Sequence, residues 1–177
     1  MHVTIINEAG YLEATLGLSL SYNCDLDEMY RVMKRLACKG GGHNKFLESM
    51  IVWLDVTAPR HWWQQFDSYR VGVTKQSSST MHTLTDRPLT QADFETSISE
   101  VTLRRLNNLM IQRDLLVLKN ELPEGFLQRR IVCTNYKTLR NIVAQRKNHK
   151  NVVWGEFCSE ILRQSLFPEF IEAKEVR

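Results

Sequence analysis

The sequence predicts an α+β domain over residues 1–167, with helices packed around a central, mainly antiparallel sheet, and a charged tail at 168–177. Three observations lead there. Met50–Thr57 and Phe126–Thr134 have the length and composition of strands, the segments around them repeat apolar residues at helical spacing, and no internal repeat or low-complexity tract interrupts the order apart from Ser77-Ser78-Ser79. At 177 residues the chain is long enough to bury roughly two thirds of its unfolded surface without disulfides or metals.

Val3-Thr4-Ile5-Ile6 is a short β-prone run, and Leu12–Tyr22 reads as a helix weakened by Gly17. Asp25, Asp27 and Glu28 place acids at a helix start; Leu26, Met29, Tyr30, Met33, Leu36 and Ala37 then recur at helical spacing until Gly40-Gly41-Gly42 stops them. Met50–Thr57 puts Met50, Val52, Leu54 and Val56 on one strand face and Ile51 and Trp53 on the other, the pattern of a central strand buried on both sides. Pro59 has a fixed φ and no amide hydrogen to lose, which suits the first position of a helix running to about Tyr69. Trp62, Phe66 and Tyr69 then share one face, with Gln65 about 100° away. Gly72 and Thr74–Thr80 read as a loop whose amides and hydroxyls are free to meet an anion.

Thr90-Gln91-Ala92-Asp93 is a capping-box-like opening for a long helix that carries Phe94, Ile98, Val101, Leu106, Leu109 and Met110 to about Asn120; Leu115–Leu118 could instead form a separate turn. Leu122-Pro123 breaks that helix. Phe126–Thr134 follows as a strand sending Arg129 and Arg130 to opposite faces. Two helices, Thr138–Lys147 and Val152–Leu166, complete the domain, and the tail from Pro168 is expected to dock loosely or fray.

Composition narrows the class. The chain is 43% hydrophobic and 24% charged, an ordinary globular balance, and no apolar run approaches the ~20 residues that span a bilayer, so a soluble protein without a membrane partner is expected. Met1–Asn7 lacks the cationic and apolar regions of a secretory signal, which points to the cytoplasm and to reduced cysteines. Cys24, Cys38, Cys133 and Cys158 form no C-x-x-C pair and have no histidine at finger spacing, so no metal site is predicted. The net charge of +3 favours phosphate-bearing ligands where arginines converge, but it lies far below that of a nucleic-acid-coating protein, so nucleic acid is not the expected partner.

Ala58–Ser78 packs Trp62 and Trp63, Gln64 and Gln65, Arg70 and a serine run into one short stretch, a density of stacking and hydrogen-bonding groups that suits a nucleotide pocket. Its spacing resembles the signature of the flavin-dependent thymidylate synthase (ThyX) family, in which a strand ends in Ala-Pro, a helix carries Arg-Gln-Trp, and Arg-His-Arg-x7-Ser follows. Gln65 stands at that glutamine, Phe66 at the tryptophan, Ser68-Tyr69-Arg70 at Arg-His-Arg, and Ser78 at the serine. Upstream, His43 and Glu48 match the family's His-x-Ser-Pro-Phe-Glu element. Downstream, Leu122-Pro123, Asn135, Leu139, Asn141 and Arg146 fall at the offsets of its Leu-Pro…Asn-x-Arg-Ser-Leu-x-Asn-Phe-x-x-Leu-Arg block, and His149 and Trp154 lie near its His and Ala-Gln-Trp with one residue inserted. The pieces occur in the right order between Gly40 and Cys158.

The resemblance implies a thymidylate synthase-complementing-protein-like fold and FAD as cofactor. It also implies NADPH and methylenetetrahydrofolate as co-substrates, and C5 methylation or hydroxymethylation of a pyrimidine deoxynucleotide such as dUMP. Arg146 would activate the pyrimidine, a role that suits a planar guanidinium that cannot lose its proton. Gln65, Gln76, Ser78, Ser79 and Lys119 would join Arg146 at the substrate, Gln65 because its amide offers both a donor and an acceptor to a pyrimidine edge. His43, Ser68, Tyr69, Arg70, Asn141 and His149 would lie on the flavin side. A homotetramer is implied, with flavin sites between subunits and burial there for Trp53, Trp62 and Trp63.

The departures weigh against turnover. Ser68 and Thr80 stand where the family has cations that meet phosphate, Gln76 where it has an acid, and Lys119 where it has an arginine. Each lost charge-assisted bond is worth roughly 1.5–3 kcal/mol unless Lys75, Arg60 or Arg129 substitutes. Three functions stay open: a flavin- and folate-dependent enzyme, which leads because Gln65, Arg70, Ser78, Lys119 and Arg146 survive together, a nucleotide-binding protein without turnover on the same fold, and single-stranded nucleic-acid binding, which the modest charge argues against.

Overall fold

The computed structural model describes residues 1–22 and 24–172. In chain order the elements are β1 (His2–Ala9), α1 (Tyr11–Ser19), α2 (Leu26–Ala37), β2 (Ile51–Pro59), α3 (Arg60–Phe66), β3 (Thr74–Ser77), α4 (Glu100–Ile111), α5 (Leu115–Glu121), β4 (Leu127–Asn135), α6 (Tyr136–Arg146), α7 (Val152–Gln164) and α8 (Pro168–Ile171), with 3-10 turns at Lys45–Glu48 and Gln91–Asp93. The strands form one antiparallel sheet in the order β1-β2-β4-β3. This is the α+β class that the sequence predicts.

β2 is interior, as expected, and pairs with β4 through Val52↔Thr134, Leu54↔Val132 and Val56↔Arg130. Its second face, however, is not buried. Val52, Leu54 and Val56 are fully enclosed while Trp53 is 42% exposed, so the sheet is covered on one face only and Trp53, Asp55 and Thr57 look out from the other. Against the covered face packs the main core, which includes Met29 and Met33 of α2, Trp62, Trp63 and Phe66 of α3, and Trp154, Phe157 and Ile161 of α7. Each fully buried tryptophan removes roughly 150–250 Å² from water, on the order of 4–6 kcal/mol before chain entropy is counted. A second, smaller core joins Leu84, Leu89 and Phe94 to Leu106, Leu109 and Met110 of α4 and Leu118 of α5.

Four local expectations are corrected. Thr74–Ser77 is not a loop but the edge strand β3, with Lys75↔Val132 and Gln76↔Ile131; pairing to β4 overrides the weak strand propensity of Lys-Gln-Ser. The long helix from Thr90 does not form. The Thr90–Asp93 capping box closes only a 3-10 turn, Phe94 leaves it extended at φ −126, ψ 149, and Ser99 begins α4 by accepting from the Thr102 amide. Arg113, with φ 58, then ends that segment, and Asp114 caps α5, so Leu115–Leu118 belong to a separate helix. Pro59 is the last residue of β2 and the N-cap of α3, not its first helical residue, and α3 ends at Phe66.

The fourth correction concerns the tail. Pro168–Ile171 forms a helix with Phe170 and Ile171 in the main core, and the Phe170 ring lies 5.5 Å from Phe167, 5.8 Å from Tyr30 and 6.0 Å from Phe46. The expectation of fraying does not hold for that helix; residues 173–177 lie outside the described residues. Among the described residues, no helix is long and apolar enough to cross a membrane, and no cluster of His, Cys, Asp and Glu could hold a metal ion.

Candidate functional site

The sequence of α3 carries the site toward α6 and α7. Past Phe66 the helix closes with the Ser68 hydroxyl donating to the Gln65 carbonyl at 2.7 Å and the Tyr69 amide to the Phe66 carbonyl at 3.0 Å. Tyr69 thereby points across to α6. Its hydroxyl donates to Gln145 Oε1 at 3.0 Å and accepts from Arg146 Nε at 2.9 Å. The Arg146 guanidinium lies 4.9 Å from the centre of the Trp154 ring and 5.7 Å from that of Tyr69, and Trp154 Nε1 donates to Gln65 Oε1 at 2.7 Å. Gln65, Trp154, Arg146, Tyr69 and Gln145 are thus one connected array, with Arg146 half-buried in it. Arg146 is held through Nε and one ring face, and its terminal nitrogens have no partner among the described residues.

Beside this array opens a cleft of about 610 Å³ lined by Glu48, Ser68, Tyr69, Arg70, Gly72, Lys137, Thr138 and Asn141, among others. Its floor is the junction of β4 and α6. Asn135 caps α6 by accepting from the Thr138 amide at 2.9 Å, Thr134 Oγ1 donates to the Gly72 carbonyl at 3.0 Å, and Thr138 Oγ1 donates to the Val71 carbonyl at 3.3 Å. Gly72 has φ +68, and a Cβ there would fall 2.7 Å from Asn135 Nδ2 and 2.8 Å from Thr138 Oγ1, so only glycine lets the chain approach so closely. Lys137 pairs with Glu48 at the rim. Arg70 is exposed with no hydrogen-bonding or ion-pair partner among the described residues, and so is available to an anion.

Of the residues that the sequence nominates, Ser68, Tyr69, Arg70 and Asn141 line this cleft, and Gln65 and Arg146 adjoin it through Tyr69. Ser78 is elsewhere. It sits with Thr80, Thr57, Thr83, Arg87 and Arg129 around a second cleft of about 530 Å³, its amide donating to the Arg129 carbonyl at 2.9 Å. Ser79 and Lys119 belong to that region, since Ser79 Oγ accepts from the Met81 amide and Lys119 Nζ reaches Met81 Sδ at 3.1 Å. Gln76 is exposed on β3 nearby. From Arg129 to Asn135 is six residues along β4, about 20 Å at the rise of a strand, which separates the two groups within one chain. His43 lies exposed in the glycine turn, and His149 Nδ1 accepts from the Asn151 amide at 3.1 Å between α6 and α7; neither lines either cleft.

One expectation about supporting residues is overturned, and a second observation bears on the missing cations. Trp62 and Trp63 are both fully buried within the chain and need no neighbouring subunit to cover them; Trp63 Nε1 donates to the Gln128 carbonyl at 2.9 Å, and the Arg130 guanidinium stacks 4.3 Å from its ring. The three cations that could replace the lost phosphate ligands are already matched with acids. Lys75 pairs with Asp67 at 2.7 Å, Arg60 with Glu124 at 3.7 Å, and Arg129 Nε with Asp55 at 2.8 Å. Burial pushes the Asp67 carboxyl up, but the Lys75 hydrogen bond and the Arg130 and Lys75 charges outweigh it and hold the group below the usual carboxylate range. The Arg129 hydrogen bond does the same for Asp55. Sequence reading missed the Lys137–Glu48 pair and the Tyr69–Arg146 bond, because partners 89 and 77 positions apart leave no local pattern.

No family model matches the sequence, and no curated protein matches it. Solved structures do. The chain has the fold of the flavin-dependent thymidylate synthases. It superposes with a TM-score of 0.80 on ThyX from Helicobacter pylori complexed with FAD and dUMP, at 15% sequence identity over 97% of this chain and 98% of that one. A second structure of the Helicobacter pylori protein with FAD and dUMP gives a TM-score of 0.77 at 14% identity, covering 95% of each chain.

Proposed function

We propose that this chain binds FAD and a pyrimidine deoxynucleotide such as dUMP, and modifies the base at C5 by methylation or hydroxymethylation, with methylenetetrahydrofolate as carbon source and, for methylation, NADPH as the source of the hydride. The observation that carries the reading is Arg146. It is the arginine of the array, held by its Nε and by an aromatic face, which fixes the plane of the guanidinium and leaves its terminal nitrogens without a partner among the described residues. A fixed cation of that kind stabilises negative charge as it develops on a pyrimidine ring without reorganising during the reaction. Gln65 spends its acceptor on Trp154, so its contribution to the base is the amide N–H pair.

The donor set of the larger cleft fits a phosphate-bearing cofactor: Arg70 is unmatched, Ser68, Thr138 and Asn141 offer hydrogen bonds, and Gly72 keeps the loop close to the start of α6. Bound there, FAD would supply the hydride relay from NADPH that methylation requires. Ser78, Ser79 and Lys119 serve the same nucleotide from the second cleft only if two chains contribute to one site, and the ~20 Å between the groups supports a homo-oligomer, of which the tetramer is our choice. A cytoplasmic location goes with this reading.

The visible spectrum of the purified protein is the first test, since oxidised-flavin bands are expected. The second is release of a C5-modified nucleotide with FAD, NADPH and methylenetetrahydrofolate present. Light scattering reads the assembly, and a monomer at micromolar concentration would refute the shared site. A binding-only protein is the second reading, favoured by one observation: Lys75, Arg60 and Arg129 are matched with acids and do not replace the cations missing at Ser68 and Thr80. Calorimetric binding of dUMP without flavin bands or product would select it, and equal or absent binding of dUMP, dCMP and dAMP would sink both.

A further inference from the structure

The second half of α2 carries Arg31, Lys34 and Arg35, and Lys39 follows just beyond its end. All four are exposed, and none has an ion-pair partner among the described residues, although Asp27 and Glu28 lie only one turn before Arg31. Several exposed cations elsewhere in the chain are matched with acids, as at Lys75–Asp67, Arg105–Glu121 and Arg163–Glu160. The four charges exceed the net charge of the whole chain, +3, so an unremarkable total conceals a concentrated patch. Like charges three and four residues apart destabilise a helix by roughly 0.2–0.5 kcal/mol per pair, which a favourable C-terminal dipole only partly offsets. Helix stability therefore does not account for the cluster.

These cations surround a groove of about 890 Å³ whose apolar lining comes from Tyr22, Tyr30, Val32 and Leu36. Tyr22 is 44% exposed, and Tyr30 is half-buried, its hydroxyl committed to Glu169 and its ring beside Phe170. The groove thus offers aromatic faces within and anion-binding groups spaced over about 12 Å along its rim. Neither cleft described above includes any of these residues.

We propose that this groove binds single-stranded nucleic acid, with bases against Tyr22 and Tyr30 and the phosphates on Arg31, Lys34, Arg35 and Lys39. Stacking on aromatics between rows of cations is the physical basis of sequence-tolerant single-strand binding. A duplex keeps its bases paired and stacked and cannot place one in a concavity on a single helix. An acidic peptide satisfies the cations but brings no ring to the tyrosines.

The test is fluorescence anisotropy of a labelled deoxythymidine oligomer of about 15 nucleotides, titrated with the full chain over a sodium chloride series. With up to four phosphates engaged, the slope of log K against log salt is expected at about −2 to −3. The double variant Arg31→Glu, Arg35→Glu should reduce the magnitude of that slope by about 1.4 and weaken binding at least tenfold, with an unchanged circular dichroism spectrum because both side chains are exposed and unpaired. Tyr22→Ala should weaken binding about tenfold at an unchanged slope, since it removes stacking and not charge. Absence of binding at low salt overturns the proposal, as does binding that the double variant leaves intact. Polyglutamate, anionic phospholipid vesicles or a duplex of the same length competing as well as the oligomer would overturn it too, by reducing the groove to a charge patch.

Discussion

Gly72→Ala is the sharpest structural test of the cleft that Arg70 and Asn141 line. Two costs add. Alanine at φ +68 enters the left-handed region, at about 1–2 kcal/mol. The new Cβ would also stand 2.7 Å from Asn135 Nδ2 and 2.8 Å from Thr138 Oγ1. Neither atom can retreat without loss, because Asn135 holds the Thr138 amide as the cap of α6 and Thr138 Oγ1 holds the Val71 carbonyl. Displacing the cap costs about 0.5–2 kcal/mol, so the expected destabilisation is about 1.5–4 kcal/mol. Urea unfolding followed by circular dichroism should show the midpoint falling by about 0.75–2 M at an unchanged slope of about 2 kcal/mol/M. Gly72→Asn, which tolerates the left-handed region better but carries the same Cβ, should fall between alanine and the native protein. A midpoint for Gly72→Ala within about 0.25 M of the native value would refute the reasoning: the loop carrying Arg70 would then not be pinned to α6 in this way.

Arg146→Lys should cut turnover far more than nucleotide affinity, because a hydrated point charge replaces a plane held on Trp154 and by Tyr69; steady-state kinetics beside calorimetry separate the two, and equal losses would contradict the assigned role. Ser78→Ala should weaken nucleotide binding by only one hydrogen bond, about 0.5–1.5 kcal/mol, and a total loss of activity would show that Ser78 does chemistry. Trp62 Nε1 is buried with no hydrogen-bond partner among the described residues, whereas Trp63 donates to Gln128 and stacks with Arg130, so in urea titrations Trp63→Phe should destabilise by at least about 1 kcal/mol more than Trp62→Phe. The Asp67 and Asp55 carboxyls are held below their usual value when folded, so their stabilisation is complete above pH ~5 and drains as pH falls through ~3.9 toward the folded values. Unfolding midpoints between about pH 6 and 2.5 should therefore decline, and Asp67→Asn should flatten that decline.

The elements legible in the sequence are those in which a local signal and the tertiary structure agree. Asp25 at the head of α2 does accept from the Glu28 amide, and the run from Met50 does form an interior strand. The misreadings come from partners distant in sequence. Nothing in Thr74-Lys75-Gln76-Ser77 announces a strand until β4 offers its edge, and nothing in the row Ile51, Trp53 says whether a second layer will cover it. Thr90–Asp93 formed its box, yet a box fixes a start and not a length, and Phe94 is drawn out to bridge Phe126. At the candidate site the motif spacing located Arg70, Tyr69 and Asn141 around one cleft, but not the separation of Ser78 from them, because spacing along the chain carries no information about distance across a sheet.

Trp154 ties these two histories together. Its ring lies 4.7 Å from Trp62, 5.9 Å from Phe157 and 6.0 Å from Tyr69, while its nitrogen engages Gln65 and its face carries Arg146. One side chain is therefore keystone to the interior and seat of Arg146. A chain of this fold can exchange surface cations at little cost. It cannot exchange this ring without disturbing the interior and the site at once. Selection on folding alone would therefore preserve the seat of Arg146.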